Sequence, residues 1–180
     1  MKRRGRWRSK LIQGAPDKAL ASWLREPDSL TARCQRSCGQ FRVRLLRAGL
    51  MKPMDDEPDF RGLMRGREVV LECDGQPVIF AHSVLLTVTN GRLPRWLAGL
   101  ASRSLGSLLF TYPGFKRGPL EFRRLDTRHP LFLRAALWAP GASELWARRS
   151  VHHLGAQSLC VTEVFLPAIL QVHTQTYQYY

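Results

Sequence analysis

One carboxylate and one guanidinium stand inside segments that otherwise have the pattern of covered β-strands. Glu163 lies in the middle of the apolar run 159–167, and Arg67 opens the alternating run 67–73. Removing a charge from water costs several kcal/mol unless the charge is paired. A guanidinium can bind a carboxylate through two hydrogen bonds, and a carboxylate can accept a proton or hold a hydroxyl. We therefore take Glu163 and Arg67 as the first candidate functional residues.

Each of the two side chains also has an explanation without function. An edge strand tolerates a carboxylate that faces water, which would account for Glu163. Arg67 has the parity of Val69 and Leu71, so a covered face is expected for it if Glu68 and Glu72 form the wet face. Arg67 could instead begin the strand and extend its head group outward to water.

Two hairpins position these candidates. Asp74-Gly75 separates the apolar alternating runs 67–73 and 76–85, and both central positions of such a turn favour positive φ. A second hairpin is predicted from 145–151 and 159–166 across the turn 155–157.

The remaining elements are short, and no motif for phosphate binding, esterase or metalloprotease chemistry accompanies them. Helices are predicted at 18–25, 30–38, 94–100 and 104–110, and further strands at 41–45 and 120–125. Because the strands follow one another in hairpins, the order predicts an α+β domain, an antiparallel β-sheet with helices packed on one face.

Length and charge limit the classes of function. A chain of 180 residues with 44% apolar residues is one domain, and its net charge is +14, of which the first ten residues carry six positive charges. We expect a disordered basic arm at 1–17, a domain at 18–168 and a frayed tail at 169–180. The charge suits steering of a small anion better than nucleic acid, for which no recognition module is visible.

Neither a secretory leader nor a spanning segment is evident in the chain, because 11–22 is polar and broken by Pro16. We expect a cytoplasmic protein without stable membrane insertion. The cysteines lack zinc-site spacing, and Cys73 and Cys160 are expected to be small core residues. His152 and His153 are adjacent in a strand and face opposite ways, so their rings cannot bind one metal ion together. Both are left out of the site.

Five blocks in order carry a family resemblance. They are Asp28-Ser29-Leu30-Thr31; Arg67-Glu68-Val69-Val70-Leu71 with Asp74-Gly75-Gln76-Pro77; Leu105-Gly106-Ser107-Leu108-Leu109-Phe110-Thr111; Leu145-Trp146-Ala147-Arg148-Arg149-Ser150; and Thr162-Glu163-Val164-Phe165-Leu166-Pro167. Their order and spacing resemble bacterial chorismate lyase over roughly residues 18–168.

The resemblance implies an enzyme that converts chorismate to 4-hydroxybenzoate and pyruvate, the first committed step of ubiquinone biosynthesis. It implies no metal, no organic cofactor and a monomer, with helical flaps over an internal site. By the same resemblance, Arg67 holds the ring carboxylate, the backbone N–H groups of Leu30 and Leu105 assist, and Glu163 lies at the hydroxyl end of the ring. Glu163 would take up a proton, hold the hydroxyl, or do both.

One position departs from the family pattern. Where the family commonly has arginine, this chain has His82, between Ala81 and Ser83. If that arginine contacts the enolpyruvyl carboxylate, His82 is a shorter and pH-dependent replacement in the substrate site. The alternative is that Arg148 or Arg149 compensates and His82 is structural.

A different class of function is possible on the same scaffold. Similar folds serve as effector-sensing domains of transcription regulators, which bind small anions without turnover. About seventeen residues precede the first predicted helix, too few for a helix-turn-helix, and both Arg67 and Glu163 are retained. These features favour the enzyme.

Overall fold

A computed structural model describes residues 6–11, 16–54, 56–57, 62–86 and 114–172, together with positions 95, 97, 99, 103, 105 and 109. Within these residues the elements are α1 Lys18–Leu24, α2 Leu30–Ser37, β1 Phe41–Met51, β2 Met64–Cys73, β3 Gln76–Leu85, β4 Lys116–Arg117, β5 Glu121–Asp126, α3 Pro130–Ala135, β6 Glu144–Leu154 and β7 Gln157–Phe165. Two 3₁₀ helices cover Ala136–Trp138 and Pro167–Gln171.

The strands form one antiparallel sheet in the order β1-β2-β3-β7-β6, and both β4 and β5 pair with β6. The predicted hairpin of β2 and β3 is confirmed, with Asp74 at φ 50° and Gly75 at φ 78°. The second hairpin turns at Gly155 and Ala156, and Gln157 already belongs to β7. The register of this hairpin therefore differs by one residue from that of a three-residue turn.

Side-chain caps fix the first two helices where the sequence predicts them. The Asp17 carboxylate accepts a hydrogen bond from the Leu20 N–H at 2.8 Å, and the Ser29 hydroxyl accepts one from Ala32 at 3.3 Å. The predicted helices at 94–100 and 104–110 fall largely outside the described residues. Leu105 and Leu109 are helical.

Both faces of the sheet are covered. On one face, α1 and α2 pack Trp23 and Leu30 against Leu71 and other strand residues. On the opposite face, α3 packs Phe132 against Val70. The α+β class is confirmed, and α3 adds a cover on the second face. The physical reason is that β2, β3 and β7 are buried at nearly every position, so both of their faces need apolar partners.

The basic N-terminal segment is attached to the sheet, which corrects the expected disordered arm for residues 6–11. Arg8 and Phe122 exchange two backbone hydrogen bonds, at 3.1 and 2.8 Å. Trp7 is 7% exposed in the core beside α3, and its indole N–H donates to Asp56 Oδ2 at 2.7 Å. A tryptophan with an apolar pocket and a hydrogen-bond acceptor orders the chain around it.

The C-terminal boundary also lies further along the chain than predicted. Ile169, in the second 3₁₀ helix, is 1% exposed and belongs to the core beneath α1 and α2. Residues 169–172 are therefore part of the domain, and the rest of the predicted tail, from 173, lies outside the described residues.

The cysteines are arranged differently from the prediction. Cys38 and Cys73 form a disulfide with their Cα atoms 5.5 Å apart, so Cys73 is not a free core thiol. Cys34 and Cys160 are buried thiols, and burial raises the pKa of each to about 12. Within the described part of the chain, no helix has the length and apolarity needed to cross a bilayer.

Candidate active site

A cavity lies between one face of the sheet and the helical residues Leu30 of α2, Leu105 and Leu109. It contains about 530 Å³ of empty space, a volume that includes open solvent at its mouth. Its lining combines an apolar wall with a group of polar side chains. The apolar residues are Leu30, Val43, Val69, Leu71, Ala81, Leu105, Leu109 and Val161, and the polar ones are Arg67, Ser83, Arg117, Arg148, Ser150, His152 and Glu163.

The strand register explains why these polar side chains meet. Arg67 pairs with Ser83, Ser83 with Val161, and Val161 with Ser150, so the four form one row across a single face of the sheet. Residues directly opposite one another in an antiparallel sheet point to the same face. This row crosses the floor of the cavity.

The neighbouring row brings the carboxylate. Ala81 pairs with Glu163, and Glu163 pairs with Arg148. His152 lies on β6 two residues beyond Ser150, on the other side of the Arg67 row, and it pairs with Arg117 of β4. The cavity floor thus has Glu163 on one side of the Arg67 row and the His152–Arg117 pair on the other.

Arg67 is buried, so the alternative that it extends outward to water is wrong. It is 2% exposed, and its Nη2 donates to the backbone carbonyl of Arg103 at 2.7 Å. Burial lowers the pKa of Arg67 to about 10, which still leaves the guanidinium cationic at neutral pH. A buried cation at the wall of a cavity is suited to bind an anion.

Glu163 lies on an interior strand, so the alternative of an edge position is wrong. β7 is flanked by β3 and β6. Glu163 Oε2 accepts a hydrogen bond from Arg148 Nε at 2.6 Å. The carboxylate is therefore held in one orientation at the cavity wall.

Arg148 is the cation that makes the position of Glu163 tenable. It is 1% exposed, and its Nη1 also donates to the backbone carbonyls of Glu26 at 2.7 Å and Leu24 at 3.4 Å. These bonds tie the end of α1 to the sheet. The two-residue turn at Gly155 and Ala156 sets a register in which Arg148 lies opposite Glu163. A three-residue turn would shift the register by one residue and separate them.

His82 is not placed at the cavity, and its predicted contact with a second substrate carboxylate is corrected. It pairs with Glu68, one residue out of step with Arg67 and Ser83, and so points to the opposite face. There it is fully buried, with Nδ1 2.9 Å from Glu68 Oε1 and Nε2 2.9 Å from Glu57 Oε1. The physical reason is strand parity, which puts alternate residues on opposite faces.

The charges around His82 balance one another. Burial alone would lower the pKa of His82, but the hydrogen bonds and charges of Glu57 and Glu68 raise it overall. Burial would likewise raise the pKa of Glu68, but the bond and charge of His82 and those of Arg134 lower it overall. Glu68 and Glu72 are both buried, so the expectation that they form a wet face is wrong.

Comparisons with known proteins agree with the geometry. A family model described as chorismate lyase matches residues 1–176. A probable chorismate pyruvate-lyase of Dechloromonas aromatica is 59% identical over 171 residues, which are 93% of this chain and 97% of that protein. Another from Nitrosospira multiformis is 45% identical over 159 residues, 83% of this chain and 87% of that protein. The chain belongs to the chorismate lyase family.

The resemblance inferred from the five sequence blocks is thereby confirmed, and the chain is a lyase by family. A solved GntR-family transcriptional regulator from Bacillus cereus shares 12% sequence identity at a TM-score of 0.47, covering 79% of this chain and 97% of that chain. This similarity is too low to bear on function.

In this member of the chorismate lyase family, two of the predicted binding residues line the cavity wall. Leu30 is the first residue of α2, where backbone N–H groups have no partner within the helix, and Leu105 is itself helical. The structure thus brings Arg67, Glu163, Leu30 and Leu105 to one cavity.

Sequence reasoning missed the cavity residues Ser83, Arg117 and Ser150, and it was wrong to leave His152 out of the site, because His152 also lines the cavity. The signal for two of them was available, because Ser150 and His152 follow Arg148 at alternate positions of β6 and share its face. Arg117 comes from a strand of two residues, which has too little pattern to be recognised.

Proposed function

We propose that this protein converts chorismate to 4-hydroxybenzoate and pyruvate. The observation that carries the proposal is the meeting of Arg67 with the Glu163–Arg148 pair in one largely apolar cavity. Family membership supports the same reaction. A ring that bears a carboxylate at one end and a hydroxyl at the other matches a cavity with a guanidinium and a carboxylate on different rows of its floor.

The chain's own residues account for most of what this reaction needs. Arg67 binds the ring carboxylate, assisted by the backbone N–H groups of Leu30 and Leu105. Glu163, fixed by Arg148, accepts a hydrogen bond from the ring hydroxyl. The apolar wall excludes water, so these contacts hold the substrate in one reactive conformation.

Little covalent work is left to the protein. The bond between the ring carbon and the ether oxygen breaks, so the oxygen leaves with the enolpyruvyl group. The ring carbon that carries the hydroxyl loses its hydrogen as a proton. Enolpyruvate gains a proton and becomes pyruvate, and the ring becomes aromatic. Glu163 is the described carboxylate at the cavity, so it is our candidate for holding or transferring the proton.

A direct assay tests the proposal. Chorismate is mixed with the purified protein, 4-hydroxybenzoate is followed by absorbance and pyruvate by a coupled dehydrogenase. We expect both products in equal amounts. Tight binding of chorismate with no pyruvate would overturn the proposal and favour a non-catalytic effector-sensing domain.

We further propose that the product enters ubiquinone biosynthesis. Deletion of the gene in its source organism is expected to lower ubiquinone, and added 4-hydroxybenzoate is expected to restore it. Ubiquinone levels that do not change on deletion would contradict this role.

We also propose that the protein is a monomer, which sedimentation of the purified protein tests.

A further inference from the structure

The second carboxylate of a dianionic substrate needs a cation, and position 82 does not face the cavity. His82 faces the other side of the sheet and is closed off by Glu57 and Glu68. Arg149, one of the two predicted replacements, also points to that other side, where it contacts Glu121 and the Trp7 ring. Neither side chain lines the cavity.

Arg148, the other predicted replacement, does line the cavity but has a different task. Its Nε donates to Glu163 and its Nη1 to the backbone carbonyls of Glu26 and Leu24. The charge of Arg148 is already balanced by Glu163, so a substrate carboxylate at Arg148 would place two buried anions on one cation, which is costly.

Arg117 is the remaining arginine among the described cavity residues, after Arg67 and Arg148. It reaches from β4 over β6, where its Nε donates to Ser150 Oγ at 3.1 Å. Its Nη1 donates to the backbone carbonyl of Pro27 at 2.7 Å, in the segment between α1 and α2. These bonds hold a planar guanidinium in a fixed orientation at the cavity, which suits bidentate binding of a carboxylate.

His152 completes this end of the cavity. Its Nε2 is 3.2 Å from Ser150 Oγ, and the side chain is buried. Burial, followed by the positive charges of Arg117 and Arg148, lowers the pKa of His152 to about 4. The ring is therefore neutral at neutral pH and adds no like charge beside Arg117.

Arg67 and Arg117 lie at opposite ends of the cavity floor. Ser150, which accepts the hydrogen bond from Arg117, lies on the Arg67 row three strands away, about 15 Å between Cα atoms at the usual strand spacing. A ligand with two carboxylates therefore has a separate guanidinium for each.

The positions of Glu163 and Arg117 on the two sides of the Arg67 row also match the positions of the substituents on the chorismate ring. Glu163 is displaced to one side of the Arg67 row, and the His152–Arg117 pair to the other. Relative to its carboxylate, the ring of chorismate carries the hydroxyl at the para position and the enolpyruvyl ether at the adjacent meta position. Three protein groups at three corners of the floor correspond to three substituents of the ring.

We propose that Arg117, oriented by Ser150 and the Pro27 carbonyl, binds the enolpyruvyl carboxylate and thereby selects a dianionic substrate over monoanions. The inference rests on the proposed function for the identity of the ligand.

A pair of stable aromatic probes tests the subsite without turnover. Benzoate has the ring carboxylate alone, and 3-(carboxymethoxy)benzoate adds a second carboxylate at the meta position. By titration calorimetry we expect the unaltered protein to prefer the dianion by at least about 30-fold, the low end for a buried charge pair. Arg117→Gln is expected to remove this preference while benzoate affinity stays within about threefold.

The matched control is Arg124→Gln, which removes an exposed arginine of β5 that pairs with Glu144, outside the cavity. It should leave the preference unchanged. Ser150→Ala, which removes the acceptor that orients Arg117, should reduce the preference by a smaller factor. If Arg117→Gln fails to fold, Ser150→Ala decides, and an unaltered preference in that variant would overturn the proposal.

The subsite and the reaction can fail separately. Products formed from chorismate together with an unchanged dianion preference in Arg117→Gln would overturn the subsite and leave the reaction standing. Selective dianion binding that depends on Arg117, with no pyruvate formed, would overturn the reaction and leave the subsite standing.

Discussion

The two faces of the sheet both bury charged side chains, but they balance them differently. On the α3 face, His82 lies between Glu57 and Glu68, and Glu68 also contacts Arg134. On the cavity face, the described lining has three arginines and one carboxylate, Glu163. Balanced charge is typical of structure, whereas an excess of one sign beside empty space indicates a ligand of the opposite sign.

The largest expected effect comes from removing the charges of the cavity face. Arg67→Gln and Glu163→Gln should each lower kcat/KM for chorismate by about 10²- to 10³-fold, the usual loss when one preorganised electrostatic contact is removed. Steady-state kinetics measures this. Circular dichroism should show that both variants fold. Near-normal kinetics in either variant would mean that the excess charge does not mark the site.

On the opposite face, the expected effect is on stability. His82→Leu removes the cation between two buried carboxylates, which should lower the free energy of unfolding by about 3 kcal/mol. Urea denaturation measures it. Because the His82 side chain points away from the cavity, kcat/KM of the folded variant at neutral pH should stay within a few-fold. If His82→Leu instead weakened chorismate binding without lowering the free energy of unfolding, His82 would have to be assigned to the substrate site.

The N-terminal segment sharpens the same comparison. Trp7 packs beside α3, bonds to Asp56 and lies 4.5 Å from the Arg149 guanidinium carbon. Trp7→Ala should cost about 3 kcal/mol of stability, the low end for burying a tryptophan, with little change in KM. Arg6→Ala, at an exposed position of the same segment, is the control. Equal melting temperatures for both variants would argue that the segment is not held.

The smallest effect is a pH dependence of stability. The folded protein raises the pKa of His82, so above pH 6.5 the folded state binds a proton that the unfolded state has released. The contribution of His82 is complete below pH 6.5 and is lost as pH rises through the folded pKa, by at most about 1.4 kcal/mol per pH unit.

We test this dependence by comparing the unaltered protein with His82→Gln in urea from pH 6 to pH 9. The stability difference between the two should shrink with rising pH, while their KM values for chorismate follow the same course. A difference that stays constant over this range would mean that His82 does not titrate there.

The sequence by itself determined the local framework. Asp74-Gly75 fixed the first hairpin, the capping residues Asp17 and Ser29 fixed the first two helices, and strand alternation gave Arg67 the face of Val69 and Leu71. These features depend on residues that are close in sequence, so turn chemistry and periodicity are enough to predict them. Charges inside apolar strands singled out Glu163 and Arg67, and the family blocks then assigned them roles.

Only the tertiary structure decided which groups meet. Glu57 and Arg134 reach Glu68 and His82 from a loop and a helix distant in sequence, and Arg117 reaches Ser150 from a strand of two residues. Strand alternation and the hairpin register predict that Arg67 and His82 point to opposite faces, but they do not predict which face contains the cavity. That depends on where α1, α2 and α3 pack, because long-range packing determines which buried charges are neutralised by the protein and which are left to a ligand.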